Sequence, residues 1–155
     1  MRLLSLTCVL VILGAVTSGC VSKPKVALRT VELTRVGRGG GSLLVTLEVT
    51  NPNSFALHSE GMQYALELQN IEGGSEGKWT ELVTGSYDAP FSIGPEQSAT
   101  LEVPVDFDYS RLGGAAVAML FAGKLDYRAR GTVMVRTPVG THALPFKKQG
   151  TLGRK

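Results

Sequence analysis

The amino-acid sequence predicts an all-β sandwich of about seven strands with one short helix, and three observations point there. Apolar and polar residues alternate at period two in several separate runs, as strands with one buried face require. Turn-forming residues separate those runs at regular intervals. Glycine is abundant, at 19 of 155 residues, while aromatic residues make up 6%, a profile of many turns between short strands. Hydrophobic residues reach 43% and charged ones 19%. That is enough apolar material for the packed core of one domain.

The strands follow in order. Residues 26–36 (VALRTVELTRV) are rich in valine, leucine and threonine, and the glycines from Gly37 to Gly41 end them. Leu43, Val45, Leu47 and Val49 then alternate with Leu44, Thr46, Glu48 and Thr50. Asn51-Pro52-Asn53 stops this run, because proline cannot donate to a ladder and asparagine tolerates turn geometry. Met62, Tyr64, Leu66 and Leu68 alternate with Gln63, Glu67 and Gln69, and Glu72 to Gly77 reads as a polar hairpin loop. A weaker strand spans Trp79 to Val83, and Gly94-Pro95 marks a turn. Leu101, Val103, Val105 and Phe107 alternate with Glu102, Pro104 and Asp106; the proline places that run at a sheet edge or a bulge.

From Ser110 to Ala122 the residues are small and continuously apolar, with no period of two. The segment predicts a helix of about three turns, capped by Asp108 or Ser110 and ended by Gly123. Gly113 and Gly114 weaken its first turn. A strand from Leu125 to Arg136 follows, with Gly131 marking a bulge or a close backbone approach. After the turn Thr137-Pro138-Val139-Gly140, Thr141 to Phe146 forms the last strand, and the basic residues from Lys147 to Lys155 read as a mobile tail.

The first twenty residues are of another kind. Arg2 supplies a positive charge, Leu3 to Val16 form an apolar stretch, and Thr17-Ser18-Gly19 places small residues before Cys20. That order describes an export signal, and the stretch is shorter than the ~20 apolar residues a spanning helix needs. It resembles the bacterial lipobox, in which the cysteine becomes the first mature residue and carries lipid; Thr17 departs from the aliphatic residue usual there. The expectation is a signal peptide over 1–19, a lipidated tether over 20–25 kept extended by Pro24, a domain over 26–150 and a basic tail over 151–155. Cys20 is the lipid attachment site that this resemblance implies. Val21 stands where inner-membrane retention would call for aspartate, so the expected location is the bacterial cell envelope, at the outer membrane facing the periplasm. Of the two cysteines, Cys8 lies inside the signal, so the mature chain keeps none for a disulfide, a metal or a nucleophile.

Little in the sequence points to catalysis. The formal charge of +3, from 16 basic and 13 acidic residues, gives no basic patch for a nucleic acid. His58 and His142 are far apart in sequence, in different strand-turn regions, whereas a Ser-His-Asp site would need one of them beside a serine on a strained turn. Neither H-x-H nor a cysteine pair suggests zinc. Gly37 to Gly41 lacks the lysine and hydroxyl residue of a phosphate loop and reads as a hairpin turn. Asp106 and Asp108 flank Phe107 and read as capping or solvated groups rather than a cation site. No enzyme activity and no cofactor are expected.

The run TLEVTNPN, then MQYALEL, then VPVDFDY, then YRARGTVMVRTPVGTHALPF resembles the WHy domain of the late embryogenesis abundant group 2 family. The most specific elements are Asn51-Pro52-Asn53 and the spacing of Tyr127, Gly131, Thr137 and Gly140. The resemblance covers roughly residues 26–150. It implies a seven-stranded antiparallel sandwich with one helix, similar to immunoglobulin or fibronectin type III modules, and a link to desiccation and water stress without catalytic residues. Two functions are therefore expected to compete. One is a membrane-tethered, non-enzymatic stress-protective lipoprotein; the other is a module that binds lipids or partner proteins of the envelope. A monomer is expected in either case.

Overall fold

Two strands, β1 (Lys25–Val36) and β2 (Gly40–Thr50), form the first hairpin, closed where the Gly37 N–H donates to the Gly40 carbonyl at 2.7 Å. The structure is a computed structural model describing residues 21–69, 78–110 and 112–154. The expected signal peptide, Cys20, the Glu72–Gly77 loop and Lys155 lie outside the described residues. In β2 the alternation holds: Leu43, Val45, Leu47 and Val49 are all buried. In β1 the buried residues are Leu28, Val31 and Leu33, a spacing that no simple alternation gives. The register explains it, since Leu28 faces Leu47 and Val31 faces Val45, with an irregularity between Leu28 and Thr30. One extra residue in β1 bulges there and returns Val31 to the core.

The chain continues through β3 (Leu57–Gln69), β4 (Trp79–Tyr87), β5 (Ser92–Ile93), β6 (Ser98–Asp108), α1 (Gly114–Phe121), β7 (Asp126–Thr137), β8 (Gly140–Thr151) and β9 (Gly153–Arg154). One sheet has the order β6-β2-β1-β9; the other runs β4-β3-β7-β8, with β5 on β3. The long strands pair antiparallel, and only the short β9 lies parallel to β1. The fold is the expected all-β sandwich: among the described residues there are seven long strands, with β5 and β9 adding two residues each. Pro104 lies in β6, an edge strand as its sequence requires.

Inward residues from both sheets meet in one core, where Leu47, Val49, Leu125, Val133 and Val135 are fully buried. The void between Leu28, Val45, Met62, Val103 and Phe146 measures only about 10 Å³, no more than the ~10–15 Å³ that a single water needs. Gly131 marks a close approach and not a bulge. Pairing runs unbroken past it to Tyr64 and Phe146, and a Cβ there would collide with the Gln63 carbonyl and the Phe146 ring.

Two expectations need correction. The helix starts at Gly114 rather than near Ser110, with Gly113 as its N-cap and no side-chain cap. Asp108 instead accepts from the Ser110 N–H at 2.8 Å and from its hydroxyl, holding a turn, while the glycines at 113 and 114 disfavour an earlier start. Its other end is as expected. Gly123, at φ 65°, donates to Leu120 at 3.1 Å and Lys124 donates to Met119 at 3.0 Å, satisfying the last carbonyls. The basic tail is also not free. The last strand runs to Thr151, Leu152 is buried at 1% exposure, and its N–H donates to Leu125 at 2.9 Å. One apolar residue among the basic ones draws the chain back over the core, and β9 then pairs with β1.

Candidate functional site

The strand registers sort the loops to two ends of the sandwich. Lys25 faces Thr50, Thr50 faces Ser98, and His58 faces Arg136. One pole therefore collects the N-terminal segment, the 51–56 loop, the 94–97 turn and the β7–β8 turn. Residues 37–39, α1 and the C-terminus occupy the other.

At the first pole, Asn51 and Asn53 organise the backbone. Asn51 is 1% exposed. Its Nδ2 donates to the carbonyls of Phe55 at 2.6 Å and Gly94 at 3.0 Å, while its Oδ1 accepts from the N–H of Asn53 at 3.1 Å and its Nδ2 at 3.2 Å. Asn53 in turn grips the N-terminal segment. Its Nδ2 donates to the Ser22 carbonyl at 2.8 Å, and its Oδ1 accepts from the Ser22 N–H, also at 2.8 Å. A carboxamide carries one donor end and one acceptor end, so it pairs with a backbone as a neighbouring strand would. Pro24 is buried and β1 begins at Lys25. The segment expected as a tether is thus docked from Ser22 onward.

The β7–β8 turn closes the same pole. Thr137 Oγ1 donates to the Gly140 carbonyl at 2.8 Å and accepts from the Val139 N–H at 3.2 Å, with Gly140 at φ 126°. This arrangement presents Val139 at 64% exposure. Val21, Phe121 and Val139 are the exposed large hydrophobic residues among those described, and two of them, Val21 and Val139, belong to this pole.

The outer face of the second sheet is polar. Arg128 donates to Glu67 and lies 4.8 Å from the centroid of the Trp79 ring, while Arg130 stands 3.8 Å from the same carboxylate. The Arg128 hydrogen bond holds the Glu67 carboxyl below its ordinary pKa. Glu60 is lowered in the same way, by hydrogen bonds from Thr141 and then Arg136. Arg130 and Lys147 line two shallow open grooves of about 650 and 500 Å³ on this face.

The sequence-expected residues do not converge on chemistry. His58 faces Arg136 and His142 faces Val135. Successive residues of β7 point to opposite faces, so the two histidines are close in register yet turned apart. Asp106 accepts from Ser42 and from Arg35, and Asp108 holds Ser110. Among the described residues no three His, Cys, Asp or Glu side chains gather as metal ligands. The Ser22 clamp was not foreseen. Asn51 and Asn53 were visible only as strand-ending residues, because Gly94 and Ser22, the partners that tie them to other segments, lie far away along the chain.

A sandwich with a closed core and a polar outer face defines a class of compact β modules. The profile of the late embryogenesis abundant protein family matches residues 46–150, and the chain belongs to that family. A search of curated proteins finds no sequence match. Among solved structures, the chain is similar to an Arabidopsis thaliana protein determined in solution, with a TM-score of 0.63 at 23% identity over 87% of this chain and 85% of that one. It is also similar to a candidate late embryogenesis abundant protein determined in solution, with a TM-score of 0.58 at 23% identity, covering 84% and 71%. A crystal structure from Archaeoglobus fulgidus gives a TM-score of 0.54 at 16% identity, covering 86% and 97%. At these identities the likeness concerns the fold alone.

Proposed function

We propose that the chain is a WHy-type bacterial lipoprotein. In this reading Cys20 carries lipid, the domain faces the periplasm from the outer membrane, and the protein acts without catalysis to shield the envelope during water loss. The stress role follows from family membership, and the export and lipid chemistry from the order of Arg2, the apolar run, the small residues and Cys20. The observation that carries the choice between shielding and lipid carriage is the closed core. A void of about 10 Å³ between Leu28, Val45, Met62, Val103 and Phe146 is far below the 300–1,000 Å³ of ordinary ligand pockets, so this central part of the core has no room for an acyl chain. Docking of an acidic envelope partner on the groove beside Arg130 and Lys147 is the second reading, supported by the openness and charge of that face.

The test is a deletion strain complemented with the parent gene or Cys20→Ser and grown with radiolabelled palmitate. Label is expected on the parent and not on the variant, and survival after drying is expected to fall in the variant. Equal labelling would refute lipidation at Cys20. Equal survival of the deletion strain and its parent would refute the protective role.

A further inference from the structure

We infer that the pole holding Ser22 is a membrane-contact surface, seated on an anionic phospholipid bilayer along its β1–β8 side. The inference rests on the reading of Cys20 as the lipid-bearing residue. Chain geometry limits Cys20 to about 7 Å from Ser22, at no more than ~3.6 Å per residue. Because both backbone groups of Ser22 are bonded to Asn53, no slack segment separates the anchor from the folded domain. A lipid on Cys20 therefore brings this pole to the bilayer.

What the pole presents fits that contact. Val21 and Val139 are exposed apolar side chains, suited to the boundary between headgroups and acyl chains. Lys23 and Lys25 are exposed beside them, and one groove joins this segment to Leu144 and Pro145 of β8. Charge is divided across the pole. The lysines stand on the β1–β8 side, whereas Asp88 and Glu96 belong to the connections leading to β5 and β6, at the far edges of the two sheets. Arg136 and Glu60 neutralise each other. Basic residues near an anionic surface are attracted to it, so the domain leans toward its β1–β8 side with Asp88 and Glu96 turned away.

The native Trp79, the only tryptophan in the chain, makes the geometry measurable. It faces Gln69 at the opposite end of β3 from Leu57, about 40 Å away at ~3.3 Å per residue. The full acylated chain, as the parent and as Val139→Trp, is reconstituted into phosphatidylethanolamine–phosphatidylglycerol vesicles with or without brominated acyl chains, and acylation is read by intact mass. The expected result is an unquenched Trp79 in the parent. In the variant, most of the added emission should be lost to bromine, with a blue shift that weakens as phosphatidylglycerol is removed. An acylated variant whose added emission is unquenched, or a parent whose Trp79 is quenched, overturns the orientation while leaving lipidation intact. Absence of an acyl group by mass overturns both.

Discussion

Truncating Asn51 to alanine should destabilise the domain far more than its loop position suggests. The substitution removes two donors to the Phe55 and Gly94 carbonyls and the acceptor for two Asn53 groups. A net hydrogen bond contributes about 1 kcal/mol, and each buried group left without a partner costs about 1–3 kcal/mol. Water entering the emptied site offsets part of this, so the expected loss is roughly 2–4 kcal/mol, against ~0.5 kcal/mol for ordinary surface substitutions. Asn51→Asp sharpens the test. It keeps the shape and the acceptor but sets a carboxylate against two carbonyl oxygens, so at neutral pH it should be less stable than the alanine variant. Burial beside acceptors raises the folded-state pKa of that carboxyl above the unfolded value of about 3.9, so the added loss should shrink as pH falls. The assay is the urea midpoint of the chain from Val21 to Lys155 at two pH values. An alanine variant within ~0.5 kcal/mol of the parent, or an aspartate variant more stable than alanine at neutral pH, would refute the network's role.

Gly131→Ala should lower stability by about 1–3 kcal/mol, because its Cβ meets the Gln63 carbonyl and the Phe146 ring; a higher melting temperature would show that the entropic gain of about 0.4–1 kcal/mol prevails. Glu67 has a depressed folded-state pKa, chiefly through the Arg128 hydrogen bond, so its contribution is present above its ordinary value of 4.5 and is lost as pH falls through the folded-state pKa. Thermal melts should show this acid loss in the parent and a smaller one in Glu67→Gln; identical pH profiles would contradict it. Ala116 is buried at 2% exposure on α1, and Ala116→Trp should overpack its contact by about 1–3 kcal/mol in a urea titration. An unchanged midpoint would mean that the helix is not sealed against the sheets.

Most of the sandwich is legible in local sequence because strand alternation is a local rule. Each of Leu43, Val45, Leu47 and Val49 points inward by its position alone, and Gly123 ends the helix through its own backbone freedom. Pro104 likewise identifies an edge strand by lacking a donor. Where burial depends on a partner strand, the pattern misleads. Val31 enters the core only because β1 bulges against β2, and the helix begins late because Asp108 is engaged with Ser110. In the expected tail, Leu152 is a single apolar residue among basic and glycine neighbours, too isolated to form a periodic signal. Its burial requires Leu125 and β1 to be in place.

The candidate site divides along the same line. Sequence by itself determined the export signal pattern and the lipid-site expectation at Cys20, because those depend on residue order within short windows. Tertiary structure decided what the domain does with its N-terminal segment. Asn53 meets Ser22, 31 residues earlier, because the packed sheets bring both to one pole and Asn51 holds the 51–56 loop. Pairings between residues distant in sequence are set by packing and register, which no local pattern encodes.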